Sequence, residues 1–303
     1  MKIAATIVTY HPEPQHLEVL IKRLRKQVRE IIVIDNSPHY AQIGHPDVYQ
    51  NLPDNPGLAF AQNLAINKAI QGGATHILML DQDSLPAPGM VAELLEVFDD
   101  NASPVAAVGP VYTNKFNGNE SGFMTLGYLA NTRYVPEVLE PNAADCTLRV
   151  DCDFLISSGT LFSVEALCQI GAMDESLFID YIDTDWMLRA KACGYKIYGA
   201  PNARMEHTLG EDCKRLWFGR WRTVPVHRAF RYYYIFRNSL LVQKKQYATA
   251  KWRWFELKRM VSMLGFLLLC SDRTEKLGFA LRGIGDGLRG RSGPLAQGFS
   301  HAG

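Results

Sequence analysis

The stretch His76-Ile77-Leu78-Met79-Leu80-Asp81-Gln82-Asp83 decides how the rest of the chain is read. Its apolar run has no polar alternation, which predicts a strand covered on both faces, as in parallel sheets flanked by helices. The run ends on two carboxylates one residue apart. Upstream the same plan occurs twice. Ile3 to Tyr10 is a short apolar, β-branched run, and Ile31-Ile32-Val33-Ile34 is another, closed by the turn signal Asp35-Asn36-Ser37-Pro38. Between them Leu17, Leu20, Ile21, Leu24 and Val28 recur at helical spacing, interleaved with Lys22, Arg23, Arg25 and Lys26. A second helix follows Asn55-Pro56-Gly57 and stops at Gly72-Gly73, and a third covers about Pro88 to Phe98. Strands alternating with amphipathic helices predict an α/β fold with a mostly parallel sheet flanked by helices.

Open sheets of this kind bind ligands beyond the carboxyl ends of their strands. Those ends carry Thr9-Tyr10, Asp35-Asn36 and Asp81-Gln82-Asp83. Any one of these acids could simply cap a turn or the following helix. Two acid-bearing strand ends together point instead to a bound hydroxyl, base N–H or metal. The pair Asp81 and Asp83 suits a hard divalent cation, Mg²⁺ or Mn²⁺, which takes oxygen ligands and leaves positions for phosphates.

Downstream, residues 114–145 read as a polar loop. A strand is expected near Leu148–Ile156, then Ser157-Ser158-Gly159-Thr160, a short helix, and a longer helix from about Thr184 to Gly194. Asp180, Asp183 and Asp185 cluster at the start of that helix. Asp185 stands four residues before Arg189, the spacing of a helical ion pair. Asp180 precedes the helix, where it can tie down the loop, and Asp183 can point into the cleft.

The 303 residues are 47% hydrophobic and 21% charged, which excludes disordered, collagen-like and coiled-coil classes. The net charge of +1 conceals a split: residues 1–199 hold 13 Lys/Arg against 24 Asp/Glu, and residues 200–303 hold 19 against 7. Residues 213–259 alone carry 13 basic side chains and one acid, Glu256, interleaved with aromatics. The boundary is therefore set after residue 212, between an α/β domain (1–212) and a mainly helical, basic and aromatic extension (213–303). Such a tail meets an anionic partner, a membrane surface or a nucleic acid. Within it, Tyr232 to Asn238 reads as a helix with an aromatic face and a basic face. Either the aromatics are core and the basic side is solvated, or Arg231 or Arg237 reaches a diphosphate or an anionic headgroup.

Several classes drop out. The six cysteines are scattered, with no C-x-x-C pair for zinc or redox chemistry. Gly285-Asp286-Gly287-Leu288-Arg289-Gly290 has dinucleotide-loop spacing but follows no strand, and no Walker lysine or G-x-S-x-G elbow occurs. Met1 to Thr6 leads straight into a strand without a leader's apolar stretch. Met260 to Cys270 is too short to span a bilayer, which takes about 20 residues. The expectation is a cytoplasmic protein that can rest on a membrane.

These motifs together resemble the family 2 glycosyltransferases of the GT-A fold, and more closely their bacterial rhamnosyltransferase branch. The resemblance runs over nearly the whole chain. It is carried by Val8-Thr9-Tyr10-His11-Pro12, Val33-Ile34-Asp35-Asn36-Ser37, Asn55-Pro56-Gly57-Leu58-Ala59 with Asn63, and Leu80-Asp81-Gln82-Asp83-Ser84. Ser158-Gly159, Asp180-Tyr181-Ile182-Asp183-Thr184-Asp185-Trp186 and Arg237-Asn238 continue it in family order. The resemblance implies that Thr9 and Tyr10 line a nucleotide pocket, that Asp35 accepts the base N–H, and that Asn55, Gly57 and Asn63 surround the nucleotide. It implies that Asp81 reaches ribose or metal, that Asp83 ligates Mg²⁺ or Mn²⁺, and that Asp183 is the catalytic base. It sets His207 near the metal and diphosphate, although a hydrogen-bonded histidine in a strand reads equally well.

The expected activity is inverting transfer of a sugar, most simply L-rhamnose from dTDP-L-rhamnose, to a saccharide acceptor. A lipid-linked acceptor in bacterial surface polysaccharide (O-antigen) synthesis, at the cytosolic face of the inner membrane, would account for the basic tail. No nucleic-acid partner is expected. The rival is a non-catalytic nucleotide-sugar-binding protein with a membrane- or nucleic-acid-binding tail, whose composition fits single-strand binding. Strand-end carboxylates would repel phosphates unless a metal intervened, which weighs against it. A nucleotidyltransferase would want a glycine-rich first loop, and Thr9-Tyr10-His11-Pro12 is not one.

Overall fold

The computed structural model describes residues 1–39, 45–98, 104–114, 118, 120, 123, 124, 126, 149–207, 212–217 and 221–295. Strands β1 (Ile3–Thr9), β2 (Glu30–Asp35) and β4 (His76–Asp81) lie parallel, with β1 in the middle and Ile7 opposite both Val33 and Leu80. Their unbroken apolar character follows from the two-residue period, because each face meets a layer of helices. Ile7, Ile31, Val33, Leu78 and Leu80 share one core with helix α1 (Pro14–Leu24) and helix α3 (Met90–Phe98). Ala4, Ile32, Ile34, Ile77 and Met79 meet helix α2 (Leu58–Gln71), which approaches through Ala59, Ala61, Ala65 and Ala69. Strand β3 (Val48–Asn51) extends the parallel edge beside β2. Its Val-Tyr-Gln-Asn sequence has no apolar run, so none of the patterning predicts it.

Beyond β4 the sheet becomes mixed. Strand β6 (Val105–Asn114) pairs in parallel with the long β9 (Lys196–His207). Between β4 and β6 runs β8 (Leu161–Ser163), antiparallel to both. The two-residue strands β5 (Leu85–Pro86) and β7 (Val150–Asp151) each pair antiparallel with β9. The order is β3-β2-β1-β4-β8-β6-β9-β5, so β9 brings its end, His207, to the turn after β4. The strand expected over Leu148–Ile156 reduces to β7, and Leu148 lies outside the described residues, as does most of the expected 114–145 loop. Helix α4 (Val164–Ile170) is capped by the Ser163 hydroxyl, and α5 (Ile182–Ala192) starts two residues before Thr184.

The extension opens with a hairpin, β10 (Asp212–Trp217) and β11 (Trp221–Val226), before helices α6 (Ala229–Gln243), α7 (Ala250–Leu268) and α8 (Arg273–Arg289). Helices α6 and α8 touch backbone to side: a Cβ on Gly283 would lie 2.3 Å from the Tyr233 carbonyl, and one on Gly287 2.9 Å from that of Arg237. Gly287, one of the glycines that imitate a dinucleotide loop, is thus a helix-contact position together with Gly283. Leu241, Val242, Ala248 and Trp252 enter the same core as Phe162 and Trp186. Charge changes at residue 212, while the core runs on across it. Cys152, Cys168, Cys193 and Cys270 are free.

Candidate active site

The register of β5 on β9, Leu85 opposite Glu206, puts Ser84 beside His207. The Ser84 Oγ lies 2.9 Å from His207 Nδ1 and 2.6 Å from Ser158 Oγ, so a buried hydroxyl pair holds the ring. His207 Nε2 then stands 4.0 Å from Asp81 Oδ2, and Nδ1 3.4 Å from Asp83 Oδ1. One ligand atom from each of the three residues falls within 4.8 Å of the others. Two carboxylates and a nearly buried imidazole, held at Nδ1 by Ser84, fit a divalent cation that keeps open positions. The two carboxylate side chains retain 41% and 40% of their surface, leaving room for phosphate oxygens. Enclosure by the cleft walls raises the Asp81 pKa; the charge of Asp83 adds to this and His207 opposes it.

The residues expected around the nucleotide divide. Gln82 brackets Tyr10, accepting its N–H at 2.8 Å and donating to its carbonyl at 3.1 Å, and the Tyr10 ring stays open to solvent. Thr9 is buried, with its hydroxyl donating to Asp35. The Asp35 carboxylate is wholly buried and also accepts from the Ser37 N–H and hydroxyl and from the Tyr49 hydroxyl. Asp35 thus ties the end of β1 and strand β3 to its own following loop. Asn55 turns the chain at φ +44°. Gly57 does permit a close approach, but to Phe178: at φ +107° its missing Cβ would lie 2.6 Å from that ring. Asn63 has a structural role, since its side chain accepts the Met173 N–H and donates to the Met173 carbonyl and to Glu175. Arg237 corrects the expectation of an anion contact. It is fully buried, bonded to the carbonyls of Leu177 and Gly293, and lies 4.9 Å from the Tyr234 ring centroid. Tyr232, Tyr233 and Tyr234 are buried with it, so this helix face is core.

Arg237 and Asn238 together hold the segment that leads into Asp183. Phe178, Asp180 and Tyr181 all have positive φ, between 65° and 67°. Non-glycine residues rarely adopt such angles, each at a cost of about 1–3 kcal/mol, so the surroundings must fix them. Asn238 Nδ2 lies within 2.7–2.9 Å of the Leu177, Ile179 and Asp180 carbonyls. Arg231 pairs with Asp180 at 2.5 Å, and Phe178 stacks on Tyr234. Tyr181 donates to Glu256, and Arg259 bonds both. Burial works the other way, yet Arg259 and the neighbouring hydroxyls hold the Glu256 pKa below its ordinary value.

Immediately after this segment, Asp183 accepts the N–H of Thr184 at 2.7 Å and that of Ser157 at 3.3 Å. Burial raises its pKa to about 6 against those two N–H donors, with Asp180 and Asp81 adding to the rise. That value suits a proton acceptor near neutral pH. Beside it opens a cavity of about 150 Å³ lined by Tyr112, Phe123, Phe154, Leu155 and Ile156. Asp185 points away, buried between Arg189 (3.1 Å) and Tyr247, as the i,i+4 spacing predicts. The linking residues, Ser157 and Ser158, were visible only as part of a motif. Ser158 Oγ accepts the Asp81 N–H at 3.0 Å while Ser157 bonds Asp183, so a single turn joins the acidic cluster to the candidate base.

The geometry agrees with what the chain is similar to. The family model Glycosyl transferase family 2 matches residues 5–167. The dTDP-rhamnosyl transferase RfbF of Shigella flexneri is 30% identical, over 96% of this chain and 97% of its own. S. aureus TarS 1-349 in complex with UDP-GlcNAc superposes at TM-score 0.58 and 15% identity, covering 96% of this chain and 82% of that one. GalNAc-T7 with UDP, GalNAc and Mn2+ does so at 0.53 and 14%, covering 85% and 54%. These two likenesses establish the GT-A fold alone. The match over half of this chain, and the relative that spans nearly all of it, place the protein in glycosyl transferase family 2.

Proposed function

We propose that this glycosyltransferase moves L-rhamnose from dTDP-L-rhamnose to a hydroxyl of a lipid-linked saccharide, in building a bacterial surface polysaccharide at the cytosolic face of the inner membrane. The observation that carries the reading is Asp183: a carboxylate with its pKa near 6, at the mouth of an apolar cavity and one turn from Asp81. The 30% identical relative named a dTDP-rhamnosyl transferase supports the choice of donor.

The reaction is a single displacement with inversion. Asp183 takes the proton of the acceptor hydroxyl as that oxygen bonds to the anomeric carbon. The bond from that carbon to the diphosphate breaks, and its electron pair leaves with dTDP. A divalent ion held by Asp81, Asp83 and His207 would supply positive charge against the departing diphosphate. Thr160 donates its hydroxyl to the Ile156 carbonyl, so the cavity wall beside Asp183 presents mainly carbon surface to the apolar face of a sugar.

The test is release of dTDP from dTDP-rhamnose in the presence of extracted lipid-linked acceptor and Mn²⁺, against UDP-hexoses as donors. Transfer of rhamnose with release of dTDP is expected. Tight donor binding with no release from any donor would instead favour the non-catalytic binding protein.

A further inference from the structure

Among the described residues, several of the tail's large side chains are interior: Trp252, Tyr232, Tyr233, Tyr234, Phe236 and Arg237 are all buried. Helix α7 also presents an outward face. On its inner side Trp252, Glu256, Met260, Phe266 and Leu267 are buried. On its outer side Trp254, Leu257, Val261 and Leu268 are 55%, 46%, 62% and 56% exposed. Their spacing of three, four and seven residues keeps them on one stripe of the helix. Lys251 and Lys258 border that stripe on one flank and Arg253 on the other, and Lys258 Nζ lies 4.9 Å from the Trp254 ring centroid. The helix has one acid, Glu256, and it is buried against Arg259.

We infer that this outer face of α7 is the surface by which the protein lies on an anionic lipid bilayer, with Trp254, Leu257, Val261 and Leu268 entering the headgroup boundary. The inference rests on the reading of the acceptor as lipid-linked, and it assigns the contact to one helix face within the tail. An apolar stripe edged by lysine and arginine, with an indole among its anchors, is the pattern of a helix lying in the interface plane. The cations complement anionic headgroups, and the exposed face presents no carboxylate to repel them. Helix α8 also exposes Leu281 and Leu288, but Glu275 is exposed on it as well. None of the helices among the described residues is long and apolar enough to cross a membrane, so the contact is one of lying on the surface.

The experiment is co-sedimentation of the full chain with phosphatidylglycerol-containing vesicles and with pure phosphatidylcholine vesicles, at low and high salt. The wild type is expected to bind the anionic vesicles, and more weakly as salt rises. The combined variant Trp254→Ser, Leu257→Ser, Val261→Ser should lose about 100-fold in vesicle affinity, since each side chain gives up a sizeable apolar burial. Its melting curve and its dTDP release should match the wild type, because these side chains are exposed, on the opposite side of α7 from the buried Glu256. If the variant binds the vesicles as well as the wild type, the assignment to α7 is overturned while the lipid-linked acceptor still stands. If the wild type ignores vesicles and instead forms a dimer that the variant abolishes, α7 is an interface between copies and the inference is wrong. Loss of dTDP release in both proteins would count against the transferase reading, separately from either result.

Discussion

The two ends of the cleft are held by different means. At the acidic end, Asp81, Asp83 and His207 converge because strand register leaves them no other place: β4 stops where β5 pairs with β9. At the other end, Asp183 follows a loop with three non-glycine residues at positive φ, and side chains from α6 and α7 fix that loop. A site held by register is buffered against single substitutions, since many backbone bonds define it. One held through a strained loop depends on the few groups that hold the strain. The C-terminal helices therefore fix the loop that leads into Asp183, on the other part of the chain.

Removing the two ends directly gives the largest separation. Asp183→Asn keeps shape and loses basicity, so turnover should fall by about 10²–10⁴-fold while affinity for dTDP-rhamnose, measured calorimetrically, stays as it was. Near wild-type turnover would exclude Asp183, and Asp180→Asn would be the next variant to test. Asp83→Asn should do the reverse, weakening Mn²⁺-dependent nucleotide-sugar binding by about 10–100-fold and leaving thymidine binding alone. Equal losses for both ligands would remove the cation from the acidic end.

Next in size is the difference in support. Asn238→Ala removes the two amide N–H donors shared among the Leu177, Ile179 and Asp180 carbonyls and should cost about 2 kcal/mol of stability. It should also lower kcat more than it changes KM, because the loop sets where Asp183 stands. Ser84→Ala removes one hydroxyl behind His207 and should cost nearer 1 kcal/mol, with kcat at saturating Mn²⁺ little altered. Similar kcat losses from the two variants would erase the contrast between register and loop.

The same contrast marks how much the sequence discloses. Within Ile3 to Phe98 most elements are legible because an apolar run and a helical spacing are local: β1, β2, β4 and α1 to α3 follow from them directly, and β3 does not. The Asp-x-Asp pair is legible for the same reason. Strand β9 is not, because Gly199, Pro201 and Asn202 break its pattern, and its place is set by pairing with β6. Asn63, Gly57 and Arg237 carry family motifs, and the motif gives no sign that their partners are Met173, Phe178 and Leu177, more than fifty residues away in each case. Motif residues therefore include those that build the site's walls as well as those that touch a ligand. Only the pairing partners separate the two.

The smallest expected effect concerns Asp183 once more, through stability. Its pKa is raised from 3.8 to about 6 in the fold, chiefly by burial. A carboxyl whose folded pKa lies above its unfolded one binds its proton more tightly when folded. The stability this contributes is complete below about pH 4 and is lost as pH rises through 6. At pH 7 the ionised side chain therefore works against the fold, and Asp183→Asn should relieve this while abolishing transfer. A shift of that size would correspond to about 3 kcal/mol for a dry site, and partial contact with water reduces the expectation to about 1 kcal/mol. The variant should melt about 2 °C above the wild type at pH 7, with the gap closing by pH 4. Turnover of the wild type should show an acid limb near pH 6, where the same proton leaves. A melting gap that stays constant from pH 7 to pH 4 would mean that burial of this charge is not what sets the base, and that the acid limb belongs to another group.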